Sequence, residues 1–162
     1  MMNNETFLIY VDHKVMNSNK FYNMKLTGSS IEVEYGRVGS TCAKVSYPAS
    51  RWNSLYNSKI KKGYTDITNL KKDIQIIVKD SDNIDFNQFY NTFSKYATNH
   101  VNANYSIEKA SKKQIQEAQS IINNLSTITD VTVFNEHLID LFKSIPRKMD
   151  NVKYHLLDDI QN

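Results

Sequence analysis

The chain holds one cysteine, Cys42, in 162 residues. A lone thiol excludes a disulfide scaffold and any cysteine-based zinc finger. Glycines number four and prolines two, and no internal repeat or low-complexity linker is visible. No apolar run approaches the roughly 20 residues a membrane helix needs. The start, Met1–Glu5, is polar and lacks the apolar core of a signal peptide. The expected setting is intracellular: nuclear in a eukaryote, cytoplasmic for a prokaryotic or viral protein. Apolar residues make up 40% and charged residues 23%. That is enough apolar material for a core and excludes wholesale disorder. The length suits one ordinary domain or two small ones.

Net charge is only +3, but it is unevenly spread. Residues 18–79 carry 11 basic residues against four acidic ones, a net of +7. Residues 80–162 carry eight basic and 11 acidic, a net of −3. A basic first half points to an anionic partner there. A solvated surface with chance clustering is the bland alternative.

Strand signals come first. Thr6–Val11 is β-branched and aromatic. Lys20–Leu26 alternates loosely and stops at a Thr27-Gly28-Ser29-Ser30 turn. Ile31, Val33 and Tyr35 alternate with polar residues, which gives the cleanest period-two segment. Ala43–Tyr47, Tyr64–Ile67 and Ile74–Val78 are further candidate strands. Pro48 opens a helix carrying Ala49, Trp52, Leu55, Tyr56 and Ile60, closed by Lys61-Lys62-Gly63. The period then becomes helical. Phe86, Phe89, Tyr90, Phe93, Tyr96 and Ala97 form a wide aromatic stripe. Ser111-Lys112-Lys113-Gln114 is a capping box, and Ile115, Ala118, Ile121, Ile122 and Leu125 read as the buried face behind it. Phe134, Leu138, Leu141, Phe142 and Ile145 form a third helix, stopped by Pro146. Val152–Ile160 reads as a short last helix. The fold class is therefore α+β: an N-terminal antiparallel sheet crossed by one helix, then a small C-terminal helical bundle. The domains divide as 1–79 and 80–162, with the boundary at 79–84.

Enzyme chemistry finds little support. His13, His100, His137 and His155 make no metal-spaced pair such as H-E-x-x-H. Neither G-x-S-x-G nor G-x-x-x-x-G-K-[ST] occurs. Asp158-Asp159 reads as solvated, and Cys42 has no evident histidine partner. No catalytic residue, metal, cofactor, membrane or small-molecule substrate is expected. The informative segment is Tyr35-Gly36-Arg37-Val38-Gly39, which leaves a strand at a turn. Arginine can bind phosphate in bidentate fashion, and an aromatic face can stack on a base or sugar. By itself the segment also suits a hairpin end with a surface arginine.

Asn19-Lys20-Phe21-Tyr22 precedes this segment, and Lys59-Ile60-Lys61-Lys62-Gly63-Tyr64 follows it after the Trp52 helix. The order N-K-F-Y, aromatic-G-R-V-G, A-x-x-W-type helix and K-x-K-K-G-Y resembles the WGR domain over about residues 5–79. The resemblance implies a small sheet crossed by one helix. In DNA-dependent poly(ADP-ribose) polymerases such a domain binds DNA at strand breaks and relays binding to the catalytic part. Tyr35 stands where the family has its signature tryptophan, a smaller ring with a hydroxyl. Gly36 and Arg37 match directly, and in the family that arginine can serve inter-domain contacts. Trp52 reads as core. Ala110–Ala118 looks like the L-S-K-x-Q-I segment of the polymerases' regulatory helical domain, and Phe142-Lys143-Ser144-Ile145-Pro146 like its F-Y-x-x-I-P segment. The half from 80 to 162 is shorter than that domain, and no transferase segment follows it here.

The expected function is a non-catalytic nucleic-acid-binding module that engages DNA backbone at ends or nicks with little base specificity. The DNA-binding candidates are Tyr35 for stacking, Arg37 for phosphate, Lys59, Lys61 and Lys62 for backbone phosphates, and Asn19 and Lys20. Gly36 and Arg37 are the inter-domain candidates. Two alternatives stand beside this: a fragment of an NAD-dependent ADP-ribosyltransferase, and a stand-alone protein-binding adaptor or inhibitor on a WGR scaffold.

Overall fold

The structure, a computed structural model, describes residues 4–14, 17–71, 84–104 and 110–158. The expected strand Ile74–Val78, nearly all of the boundary at 79–84 and the Phe86 side chain lie outside the described residues.

The β-branched and aromatic runs form a meander. Strands β1 (Glu5–Asp12), β2 (Ser18–Thr27), β3 (Ser30–Arg37) and β4 (Ala43–Pro48) pair antiparallel in sequence order. A two-residue strand, β5 (Thr65–Asp66), returns to the far side of β1. The sheet order is β4-β3-β2-β1-β5. Successive side chains point to opposite faces, so β1 sends Leu8 one way and Ile9 and Val11 the other. All three are buried, which requires cover on both faces.

Helix α1 (Trp52–Lys61) supplies one cover. Trp52, Leu55 and Tyr56 pack on a cluster of Leu8, Tyr22, Met24, Ile31 and Val33. The helix stops where Gly63 takes φ +85° and its N–H reaches the Ile60 carbonyl at 2.9 Å. A left-handed residue just past the last turn favours glycine. A short helix, α2 (Thr68–Lys71), follows β5.

The C-terminal helices supply the second cover. Ile9, Val11, Val38 and Ile67 form one buried cluster with Ile139, Phe142, Met149 and Val152. One core thus draws on both sides of the 79/80 division. Helix α4 (Lys112–Leu125) begins at a capping box: Ser111 Oγ accepts from Gln114 N at 3.0 Å, and Gln114 Oε1 accepts from Ser111 N at 3.1 Å. The buried Gln114 also donates through Nε2 to the Ser144 carbonyl at 2.8 Å. That bond ties the start of α4 to the end of α5 (Val131–Ser144). Asp130 caps α5 by accepting from Thr132 N and Val133 N.

Two helix faces differ from the sequence reading. On α4 the buried residues are Gln114, Ala118 and Ile121, while Ile115 and Ile122 are exposed. The buried stripe is rotated because the capping glutamine takes a core position that its polarity hides. On α5, Ile139 is buried beside Phe142, a position the sequence reading passed over. Helix α3 (Ile84–Asn104) forms as the aromatic period implies. Phe89, Phe93 and Tyr96 on it are exposed, and Phe89 and Phe93 stack on each other at 6.2 Å. The last helix is a 3-10 turn over Val152–His155.

Because Phe142 belongs to the core that β1 shares, Phe142→Ala is expected to cost about 3–5 kcal/mol. Trp52, the only tryptophan, sits on the opposite side of the sheet and reports that side. Its fluorescence midpoint in urea should fall together with the helical circular-dichroism midpoint. A Trp52 midpoint unchanged by the substitution would mean that the two faces unfold separately.

Candidate nucleic-acid interface

Register across β2 and β3 sets the site. Tyr22 lies opposite Tyr35, and Lys20 opposite Arg37. The last turn of α1 carries Lys59 and Lys61, and Lys62 follows it. Four tyrosines form a ladder. Tyr35 lies 5.9 Å from Tyr22, Tyr22 meets Tyr64 edge-on at 6.5 Å, and Tyr64 stacks on Tyr10 at 5.3 Å. Tyr10 closes the row by donating its hydroxyl to Asp12 Oδ2 at 3.1 Å.

Lys59 lies on this ladder. Its Nζ is 4.0 Å from the centre of the Tyr22 ring and 5.3 Å from that of Tyr64. An ammonium over aromatic faces is attracted by the ring quadrupole. Desolvation holds the Lys59 amine below its ordinary value, and the neighbouring charges of Lys62 and Lys20 push the same way. Lys20, Lys59 and Lys62 therefore form a group of mutually repelling cations. Among the described residues none of them has an ion-pair partner. The nearby carboxylates are engaged elsewhere. Asp66 accepts from Tyr56 Oη at 2.9 Å and from Thr68 N at 2.8 Å, and Glu34 pairs with Lys44. Lys61 and Lys62 are exposed. Tyr35 is 41% exposed beside a Tyr22 that is 4% exposed. One accessible ring thus lies against a fixed aromatic base, next to uncompensated positive charge.

Arg37 and Asn19 serve a different surface. The Arg37 guanidinium donates through Nε and Nη2 to the Met149 carbonyl at 3.2 and 2.9 Å, and through Nη2 to the Asp150 carbonyl. Asn19 is fully buried and donates through Nδ2 to the Arg147 carbonyl at 2.7 Å. Its Oδ1 has no partner among the described residues. Asn17 adds a third tie by accepting from Val152 N at 2.7 Å. These side chains bind residues 147–152 to the ends of β2 and β3. Gly39, at φ +81°, lies under the Lys148 side chain, where a Cβ would collide with it. Gly36 packs elsewhere: a Cβ there would come within 3.4 Å of Thr41 O and Cys42 Cα in the β3–β4 loop.

The proposed site residues therefore separate into two groups. Tyr35, Lys20, Lys59 and Lys62 lie around the tyrosine ladder. Arg37 and Asn19 face the C-terminal segment. Trp52 is half-buried in the α1 core. The sequence reading missed the roles of Tyr22, Tyr64, Tyr10 and Asn17. The first two stood inside the N-K-F-Y and K-x-K-K-G-Y motifs, and that was the available signal. Among the described residues no group of three His, Cys, Asp or Glu side chains could hold a metal ion. No helix among them is long and apolar enough to cross a membrane.

The class of domain follows from comparison with known proteins. Residues 5–71 match the WGR domain, and the sheet with α1 lies within that match. Beyond it, the chain is similar to Uncharacterized protein 101L of Invertebrate iridescent virus 6, with 34% identity over 148 residues. That similarity covers 87% of this chain, and the chain spans 63% of the viral protein's length. A crystal structure of a Bacteroides fragilis protein overlaps 38% of this chain and 19% of its own, at 23% identity and a TM-score of 0.34.

Two outcomes test the geometry. Burial, followed by the neighbouring hydroxyls of Tyr47, Tyr35 and Tyr64, pushes the Tyr22 phenol from 10.0 up to about 12. The folded state therefore holds this proton more tightly than the unfolded one. Its contribution to stability is complete below pH 10 and is lost as pH rises through about 12. In a spectrophotometric titration the last phenolate step should vanish in Tyr22→Phe; a step that persists assigns it to another ring. Separately, Arg37→Ala should lower unfolding stability by about 1.5–3 kcal/mol through loss of charged hydrogen bonds. Arg37→Lys should recover only part of that, since an ammonium lacks the rigid planar fork that the guanidinium presents to the two carbonyls.

Proposed function

We propose that this chain binds nucleic acid without catalysing a reaction on it, in the manner of WGR domains of poly(ADP-ribose) polymerases, and that DNA ends or nicks are its preferred ligand. The observation that carries this reading is the group of Lys20, Lys59 and Lys62 beside the exposed Tyr35, none of the three in an ion pair among the described residues. Unpaired cations attract backbone phosphates and release counterions on binding. Tyr35, backed by Tyr22, offers a face to a base or sugar at a discontinuity. Lys61, exposed on the same helix end, adds charge. The groups offered are phosphate-seeking cations and one aromatic face, so base sequence contributes little. Arg37 acts here as a positioning residue that holds the C-terminal segment. The helical half, with its L-S-K-x-Q-I-like and F-x-x-I-P-like segments, takes a regulatory-like place beside the WGR domain.

Binding should weaken with salt along a log–log slope of about −0.9 per phosphate contact on duplex DNA. Fluorescence polarisation on nicked, blunt and single-stranded oligonucleotides measures it. Lys59→Ala combined with Lys62→Glu should shrink the slope and reduce affinity equally across sequences. Tyr35→Ala should cost about 1–3 kcal/mol on nicked DNA and little on closed duplex. Equal affinity for nicked and closed circles of one sequence would remove the preference for breaks.

A second reading, a protein-binding adaptor, draws on one observation: the exposed aromatic row Phe89, Phe93 and Tyr96 of α3. Capture of a protein partner that survives nuclease treatment and is lost in Phe93→Ala would favour it.

A further inference from the structure

The sheet face turned away from the tyrosine ladder carries a small cavity. It measures about 110 Å³, and Phe7, Phe21, Val38 and Pro146 form much of its wall. Its charged and polar side chains are Lys71 and Asn23. The backbone beside it is already satisfied: Phe7 N donates to Thr68 Oγ1 at 2.9 Å, and the Phe7 carbonyl accepts from Ile67 N at 2.9 Å.

Among the described residues neither polar side chain has a hydrogen-bond or ion-pair partner. Lys71 Nζ sits 4.3 Å from the centre of the Phe7 ring. Its amine is held below the ordinary value by desolvation, with Glu5 opposing only through space. Among the described residues Lys71 forms no ion pair, and the half-buried Asn23 carboxamide forms no hydrogen bond. A desolvated ammonium with no counter-charge bonded to it is costly. An ionised ligand oxygen would relieve it, because charge-assisted hydrogen bonds are the strong ones. The remaining wall is aromatic and aliphatic, so the rest of that ligand must be apolar. An apolar cavity of ~150 Å³ accommodates benzene. At about 110 Å³, this one takes most of a single ring, whose outer edge and charged end stay at the rim.

We propose that this cavity binds a small monocarboxylate with a compact apolar tail, the tail against Phe7 and Phe21 and the carboxylate between Lys71 and Asn23. Inorganic phosphate offers no tail to the rings, and a neutral alcohol of the same shape offers no charge to Lys71. The site shares no side chain with the Lys20, Lys59 and Lys62 group, so it stands or falls independently of nucleic-acid binding.

The test is an NMR titration of the full chain with benzoate, benzyl alcohol and inorganic phosphate as probes. Benzoate should shift the amides of Phe7, Phe21, Asn23 and Val38, and bind about tenfold tighter than benzyl alcohol. Lys71→Met keeps the aliphatic stem over Phe7 and should bring benzoate down to the level of the alcohol. Asn23→Leu should weaken benzoate without improving phosphate. Native amide dispersion in each variant confirms the fold. Absence of shifts at these four residues, equal binding of the alcohol, or no effect of Lys71→Met would each overturn the proposal. So would benzoate shifts confined to Lys20, Lys59 and Lys62, since they would reduce the effect to general anion attraction.

Discussion

Everything in this fold follows from the burial of β1 on both faces. Leu8 looks toward α1, while Ile9 and Val11 look toward Phe142, Met149 and Val152. A strand that is apolar on both sides cannot stay in water on either, so the chain must provide two covers. It provides one early, in α1, and one late, after residue 130. The late cover is fixed by more than apolar contact. Asn17, Asn19 and Arg37 all bond to backbone groups of residues 147–152. Hydrogen bonds to backbone fix the segment's register, whereas apolar packing alone would let it slide. The unpartnered Asn19 Oδ1 shows that this polar junction is not fully satisfied.

The candidate interface depends on the same sheet from the other side. Tyr22 is buried because Met24, Val33 and the α1 side chains surround it, and a buried ring is a fixed one. That fixity passes outward to Tyr35 through ring contact and upward to Lys59 through the ring face. Charge and shape are therefore coupled. The ammonium of Lys59 cannot move away from Lys62 and Lys20 without leaving the aromatic surface that holds it. The positive charge is thus concentrated before any partner arrives, which is the condition for strong electrostatic recognition.

Much of this was legible in the residues. Alternation at Ile31, Val33 and Tyr35 marked β3, the S-K-K-Q capping box marked the start of α4, and Lys61-Lys62-Gly63 marked the end of α1. Those signals are local, and local chemistry decides them. The faces of α4 and α5 were less legible. Gln114 is polar yet buried, because its amide is satisfied by the Ser111 N–H and the Ser144 carbonyl. No periodicity anticipates a core glutamine. The α3 aromatics show the reverse failure: a helical stripe announces a helix but not its cover. The motif around Tyr35 located the site, but the split between Arg37 and the lysines depends on contacts across more than 100 residues of chain. Asn17 carried no sequence signal, since asparagines are plentiful throughout.

The edges of the sheet have a bearing on solubility. β5 is two residues long, and β4 ends in Pro48 and carries Lys44 in an ion pair with Glu34. A short strand offers little backbone for a stranger to pair with, and a proline withholds a donor where a row of donors would invite one. A sheet this rich in tyrosine and valine is a natural template for edge-to-edge stacking between molecules. Its two borders are built to discourage that, so the basic surface can be present at high concentration without the sheets joining into fibrils.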